Sequence, residues 1–231
     1  MTTVEIIFTV IEIVGVISFA IAGAIEAINK ETDLFGVVFL AVTTTFGGGI
    51  IRDVMLGNHA PVFFSSYTLV TICIATSLVV FLLAAVFKNK FVENETLIDR
   101  INNVFDAAGI GVFAISGTKL TMDLGYNAFF IAVIMGMITC VGGSMIRSFC
   151  LREIPFILKK RVYALAALAG SACYWIMMHF EANEIASMLI SAFIVFAIRM
   201  LATVFKWNFP KAIDFGKLKA SEQLTEDNSD E

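Results

Sequence analysis

Apolar residues run in long blocks along this chain, and polar ones fall in short gaps between them. A helix needs about 20 mostly apolar residues to span a bilayer. Seven stretches meet that length, at roughly 5–28, 35–56, 67–87, 104–122, 127–149, 163–181 and 185–205. The gaps carry most of the charge, as in Lys88–Lys90, Glu93–Arg100 and Arg152–Arg161. No gap is long enough for a soluble domain. The pattern predicts an all-α, polytopic membrane protein of seven transmembrane helices, residues 1–205 forming a single domain. The run at 206–231 ends SEQLTEDNSDE and reads as an acidic, disordered tail.

The apolar blocks repeat. FAIAG at 19–23 returns as FAISG at 113–117, 94 positions later, and the same offset pairs Glu12 with Asp106 and Gly15 with Gly109. GGGIIRD at 47–53 returns as GGSMIRS at 142–148, 95 positions later, with Arg52 on Arg147 and Leu56 on Leu151. Residues 1–87 and 104–181 therefore read as two copies of a three-helix unit. Three is odd, so the second copy enters the membrane from the opposite face. Such inverted repeats place working sites near the midplane, where the copies meet. The helix at 185–205 stands outside the repeat.

Composition agrees with the pattern. The chain has 231 residues, of which 58% are hydrophobic and 16% charged, and its mean hydropathy is +0.87. A soluble domain carries about 25% charge, so lipid must cover much of this surface. The net charge of -4 reflects loops and tail, and no basic stripe points to nucleic acid. The start, MTTVEIIFTVIEIV, lacks a basic n-region and reads as a retained first helix. With the N-terminus on side one, side two collects Lys30, Lys88, Lys90, Arg100, Arg152, Lys159, Lys160, Arg161, Lys206, Lys211, Lys217 and Lys219. Side one holds little beyond Lys119 and Arg52. The bias makes side two cytoplasmic, with the N-terminus outside and the C-terminus inside the cell's inner (plasma) membrane.

Candidate chemistry is sparse. Cys73, Cys140, Cys150 and Cys173 lie in apolar segments without paired spacing, so neither a disulfide framework nor a structural metal is expected. His59 and His179 form no ligand pattern, and phosphate-loop, GxSxG and HExxH motifs are missing, so the chain reads as neither enzyme nor ATP-driven pump and calls for no cofactor. The informative segment is Thr43-Thr44-Thr45-Phe46-Gly47-Gly48-Gly49 in the second helix, with Thr139 and Gly142-Gly143-Ser144 in the fifth. Gly47 lies about 16 Å along its helix, close to the bilayer centre. Consecutive glycines cost roughly 1 kcal/mol each in a helix. They permit a kink or unwound turn, which a membrane tolerates only in protein or at a wet cavity. Freed carbonyls there could replace part of a cation's hydration shell. Close helix packing through small residues is the alternative. Arg52 and Arg147 each follow the glycines by one turn and either reach the freed carbonyls or snorkel outward. Asp53 can pair with Arg52, whereas the second copy has Ser148 there. Lys119 is expected either in the cavity as a fixed charge or gate, or as an ordinary helix-end lysine, and Glu26 is a candidate partner for it.

The paired segments GGGIIRDVMLGNHAPVFF and GGSMIRSFCLREIPFIL resemble the prokaryotic trimeric intracellular cation (TRIC) channel family over nearly the whole chain, to about residue 205. The resemblance implies a homotrimer in lipid with one pore in each protomer, conducting monovalent cations, chiefly potassium, past glycine-kinked second and fifth helices. It places Lys119 on the fourth-helix lysine of that family. GGS and IRS stand where the family often has a third glycine and an aspartate. Potassium or sodium ions are then the transported species. Relatives of the domain are also labelled glycine transporters, so the residues leave two readings open, a passive channel and a secondary carrier for a small solute. A carrier for a zwitterion wants an acid for the amine, and no midplane acid stands out.

Overall fold

The structure is a computed structural model and describes residues 2–57, 60–155, 158, 162–205 and 207. Eight α-helices lie among them. They are α1 (Thr3–Asn29), α2 (Leu34–Met55), α3 (Tyr67–Val86), α4 (Lys88–Glu93), α5 (Glu95–Asp123), α6 (Phe129–Cys150), α7 (Val162–His179) and α8 (Glu184–Val204), with a short 3₁₀ turn at Val62–Phe64. The tail, His59 and the basic residues 159–161 lie outside the described residues.

Local chemistry marks the helix starts. Thr2 accepts a hydrogen bond from the Glu5 amide and donates its own amide to the Glu5 carboxylate, a capping box that opens α1. Asp33 caps α2 through the Gly36 amide at 2.7 Å, and Asn183 caps α8 through the Ala186 amide at 3.0 Å.

Six helices are both long and apolar enough to cross a membrane: α1, α2, α3, α6, α7 and α8. The fourth span of the sequence reading, α5, is the exception in composition. It is the longest, at 29 residues, and it begins at Glu95 with a charged turn well before 104. Its apolar stretch is diluted by Asp106, Ser116, Thr118, Lys119 and Thr121. Those groups meet protein instead of lipid, because α5 packs along α1, α6, α7 and α8. Thirteen of its residues are buried. α3 shows the converse, burying only Cys73, Ser77 and Ala84 and leaving its apolar flanks to lipid.

Contacts between the copies are reciprocal, as a two-fold axis requires. Phe19 stacks on its counterpart Phe113 with centroids 5.1 Å apart. Gly15 lies against Val112 and Phe113, and Gly109 lies against Phe19. α2 crosses α6 in the same way. A Cβ on Gly48 would overlap the Thr139 carbonyl oxygen, and one on Gly143 would overlap the Thr44 carbonyl oxygen, 95 positions earlier. Gly47 abuts Ile146 and Gly142 abuts Ile51. The molecule is two inverted three-helix units, α1–α3 and α5–α7, linked by α4 and completed by α8. The loops at the side-two end are tied by Lys30 to Glu153 at 2.5 Å, and the carboxylate raises the Lys30 ammonium pKa above its ordinary value.

Candidate functional site

The glycines do not unwind their helices. α2 and α6 are helical without interruption through Gly47–Gly49 and Gly142–Ser144, so no run of freed carbonyls exists there. Gly47, Gly48, Gly142 and Gly143 serve the alternative, a backbone-to-backbone crossing. The hydrogen-bonded ladder costs less to keep than to break in hydrocarbon, and the close approach recovers dispersion over two whole helix faces.

A cavity of about 50 Å³ opens beside this crossing, toward side one. That is room for a few waters. Its polar lining comes from both copies: Glu12 of α1, Thr45, Arg52 and Asp53 of α2, Ser66 just before α3, Ser116 of α5 and Thr139 of α6. Gly49 also lines it, and Phe46, Phe63 and Phe113 supply apolar wall. Thr43 is half-buried outside this lining.

Three hydroxyl protons around the cavity are already used. Thr45 donates to the Ala41 carbonyl at 2.8 Å and Thr139 to the Met135 carbonyl at 2.7 Å. Ser116 donates to Glu12 Oε1 at 2.8 Å. What these oxygens can still present to the cavity is lone pairs. Arg52 donates twice to Asp53 Oδ1, at 2.9 and 2.7 Å, and Asp53 Oδ2 accepts the Val62 amide at 2.8 Å. Both side chains are buried. Arg52 is thereby turned toward its neighbour, and Glu12 shares the cavity with this ion pair.

The matching place in the second copy, toward side two, is furnished differently. Asp106, the counterpart of Glu12, accepts from the Tyr163 hydroxyl at 3.2 Å and from Arg199 Nη2 at 3.2 Å. The Tyr163 hydroxyl also lies 3.1 Å from Ser144 Oγ, and the Arg199 guanidinium covers the Tyr163 ring at 4.6 Å. Tyr163 is fully buried. Arg199 comes from α8, so the helix outside the repeat occupies the second copy's polar pocket and breaks the symmetry.

Lys119 is outside both places. Its ammonium bridges Asp123 at 3.0 Å and Glu184 at 2.6 Å and lies over the Phe8 ring, tying α5 to the start of α8. The cavity position is therefore not observed, and Glu26 is not its partner. Glu26 sits at the other end of the molecule and accepts from Asn102 at 3.1 Å. Among the described residues no group of three or more His, Cys, Asp or Glu could hold a metal. Sequence reasoning missed Glu12, Ser116, Tyr163 and Arg199. An acid at the same place in two apolar helices, Glu12 and Asp106, and an arginine inside α8 were the available signals.

A family model described as "Glycine transporter" matches this chain twice, over residues 9–85 and 103–179. The chain belongs to that family. The two matches are 94 positions apart, the spacing of the repeat. Among curated relatives, a UPF0126 membrane protein of Deinococcus radiodurans is 34% identical over 169 residues, covering 72% of this chain and 74% of that protein. The UPF0126 inner membrane protein YadS of Escherichia coli K12 is 37% identical over 161 residues, covering 69% and 73%. Among solved structures, one reported for conductance through TRIC cation channels superposes with a TM-score of 0.77 at 34% identity, covering 90% of this chain and 98% of that one. A TRIC trimeric intracellular cation channel orthologue from Rhodobacter sphaeroides gives 0.77 at 27% identity, covering 87% and 98%. The family resemblance of the glycine–arginine segments thus holds at the level of the whole fold, and the chain is a multi-pass membrane protein of the TRIC type.

Proposed function

We propose that this chain is a passive channel for monovalent cations, chiefly potassium, with a path inside each protomer. The observation that carries it is the lining of the side-one cavity. Thr45, Thr139 and Ser116 have committed their protons and offer lone pairs, and Glu12 adds a carboxyl group that accepts from Ser116. Those oxygens can replace part of a cation's hydration shell. The path runs from this cavity along the α2–α6 crossing toward the Asp106–Tyr163–Arg199 cluster, with Thr45 and Thr139 marking its way. The solved TRIC relatives support homotrimeric assembly in lipid, and the lysine and arginine bias supports the N-out, C-in orientation.

Purified protein in a planar bilayer under a KCl gradient should give discrete unitary currents reversing near the potassium potential. Glu12→Gln should keep the fold and lower the potassium-to-chloride preference several-fold. Silent bilayers would overturn the reading.

One observation favours a second reading, a carrier for glycine. The acid missing from the sequence reading is Glu12, which shares the cavity with Arg52, as an amine and a carboxylate would require. Against it, Arg52 is already held twice by Asp53. Glycine uptake by liposomes of the same preparation, with no unitary current, would decide for the carrier.

A further inference from the structure

The two repeat arginines have the same place in the fold and opposite surroundings. Each lies three residues before the end of its helix, Arg52 in α2 and Arg147 in α6. Each is buried, at 3% and 2% exposure. Arg52 has its carboxylate in the next residue. Arg147 has Ser148 there, and among the described residues its guanidinium makes no hydrogen bond and no ion pair. Its Nη1 is fully enclosed without a partner.

Asp106 is the carboxylate of this cluster, and it is spent. One oxygen takes the Tyr163 hydroxyl and the other takes Arg199. Arg199 is itself under-served, since its Nε is enclosed without a partner. The Tyr163 hydroxyl joins Asp106 to Ser144, and Arg147 follows Ser144 by one turn of α6, so the groups form one neighbourhood. The side-one group carries two carboxylates, Glu12 and Asp53, against Arg52. The side-two group carries two arginines against Asp106. An arginine stays charged in any protein environment. A buried guanidinium without a counter-charge is among the costliest arrangements a membrane protein can hold.

We propose that Arg147 binds a small anion, chloride or an anionic phosphate oxygen, at the side-two end of α6, where the carboxylate of Asp53 stands beside Arg52 in the other copy. Ser148 is shorter than the aspartate that stands there in the other copy, and α8 provides the excess charge through Arg199. The anion is a bound structural partner, and its presence does not depend on whether the protein is a channel or a carrier.

The test uses the full chain in detergent at constant potassium and ionic strength, with the anion varied. The reference salt is potassium HEPES, whose bulky sulfonate does not fit a site built for one carboxylate. In chloride or inorganic phosphate the wild-type melting temperature should rise along a saturable curve by about 3 °C. Ser148→Asp supplies the missing carboxylate and should remove the anion dependence, while Ser148→Ala should retain it. Arg147→Gln should also lose it, which keeps the test decisive if the aspartate variant does not fold. A further arm adds anionic phosphatidylglycerol in potassium HEPES. A rise there, with no added effect of chloride, assigns the anion to a lipid headgroup phosphate; a rise with chloride alone assigns it to a soluble ion. A wild-type protein indifferent to chloride, phosphate and anionic lipid overturns the proposal, and so does an Arg147→Gln variant that responds as the wild type does.

Discussion

Gly48 and Gly143 are packed directly against backbone. Each faces a carbonyl oxygen of the opposing helix with no space for a methyl group. Gly48→Ala and Gly143→Ala should each destabilise by about 1–3 kcal/mol, the usual cost of overpacking a well-packed contact. Thermal melting in detergent measures this, and equal losses at the two positions are expected because the contacts are reciprocal. A neutral effect would mean that the crossing can open at little cost. The presence of these glycines was plain in the sequence, but their role was not. A glycine triplet permits both a break and a close approach. The choice depends on where the Thr139 and Thr44 carbonyls lie, about 95 positions along the chain. Asp53 was legible as a partner of Arg52 because the two are adjacent. Lys119 was not legible, since its partner Glu184 is brought to it only by the docking of α8.

Helix ends show how one geometry is filled by different residues. The chain leaves α1 through Glu31 at φ 55° and leaves α5 through Gly125 at φ 91°. It leaves α2 through Gly57 at φ 70° and α6 through Arg152 at φ 55°. At these two helix ends each copy uses glycine once and a strained residue once, and the chain leaves α7 through a further strained residue, Glu181 at φ 54°. Glu31→Gly and Arg152→Gly should each raise stability by about 0.5 kcal/mol, since both side chains are exposed and the left-handed strain exceeds glycine's extra chain entropy. Melting temperatures falling in both variants would show that these side chains matter more than their backbone. Among whole elements, α5 was the hardest to read. Its mixed character follows from its central position, where each polar group meets another helix.

The whole molecule is a pair of inverted units whose symmetry is broken by α8. The lysine and arginine bias predicts that a cysteine placed at Lys90 reacts with a membrane-impermeant maleimide only in inverted vesicles, and one at Asn127 only in intact cells. The reverse pattern would turn the molecule over, and with it the assignment of the cavity to the outer face.

The repeat and the all-helical membrane architecture could be read from the sequence, because hydropathy and internal similarity are one-dimensional properties of a chain in a slab of lipid. Tertiary structure alone decided that the glycines make a crossing, that Glu12 faces a cavity lined with hydroxyl lone pairs, and that Arg199 fills the second pocket and leaves Arg147 unpaired. Each of these depends on which distant groups meet across the inverted pair. Contact at that range is set by the packing of complementary surfaces, which no local pattern records.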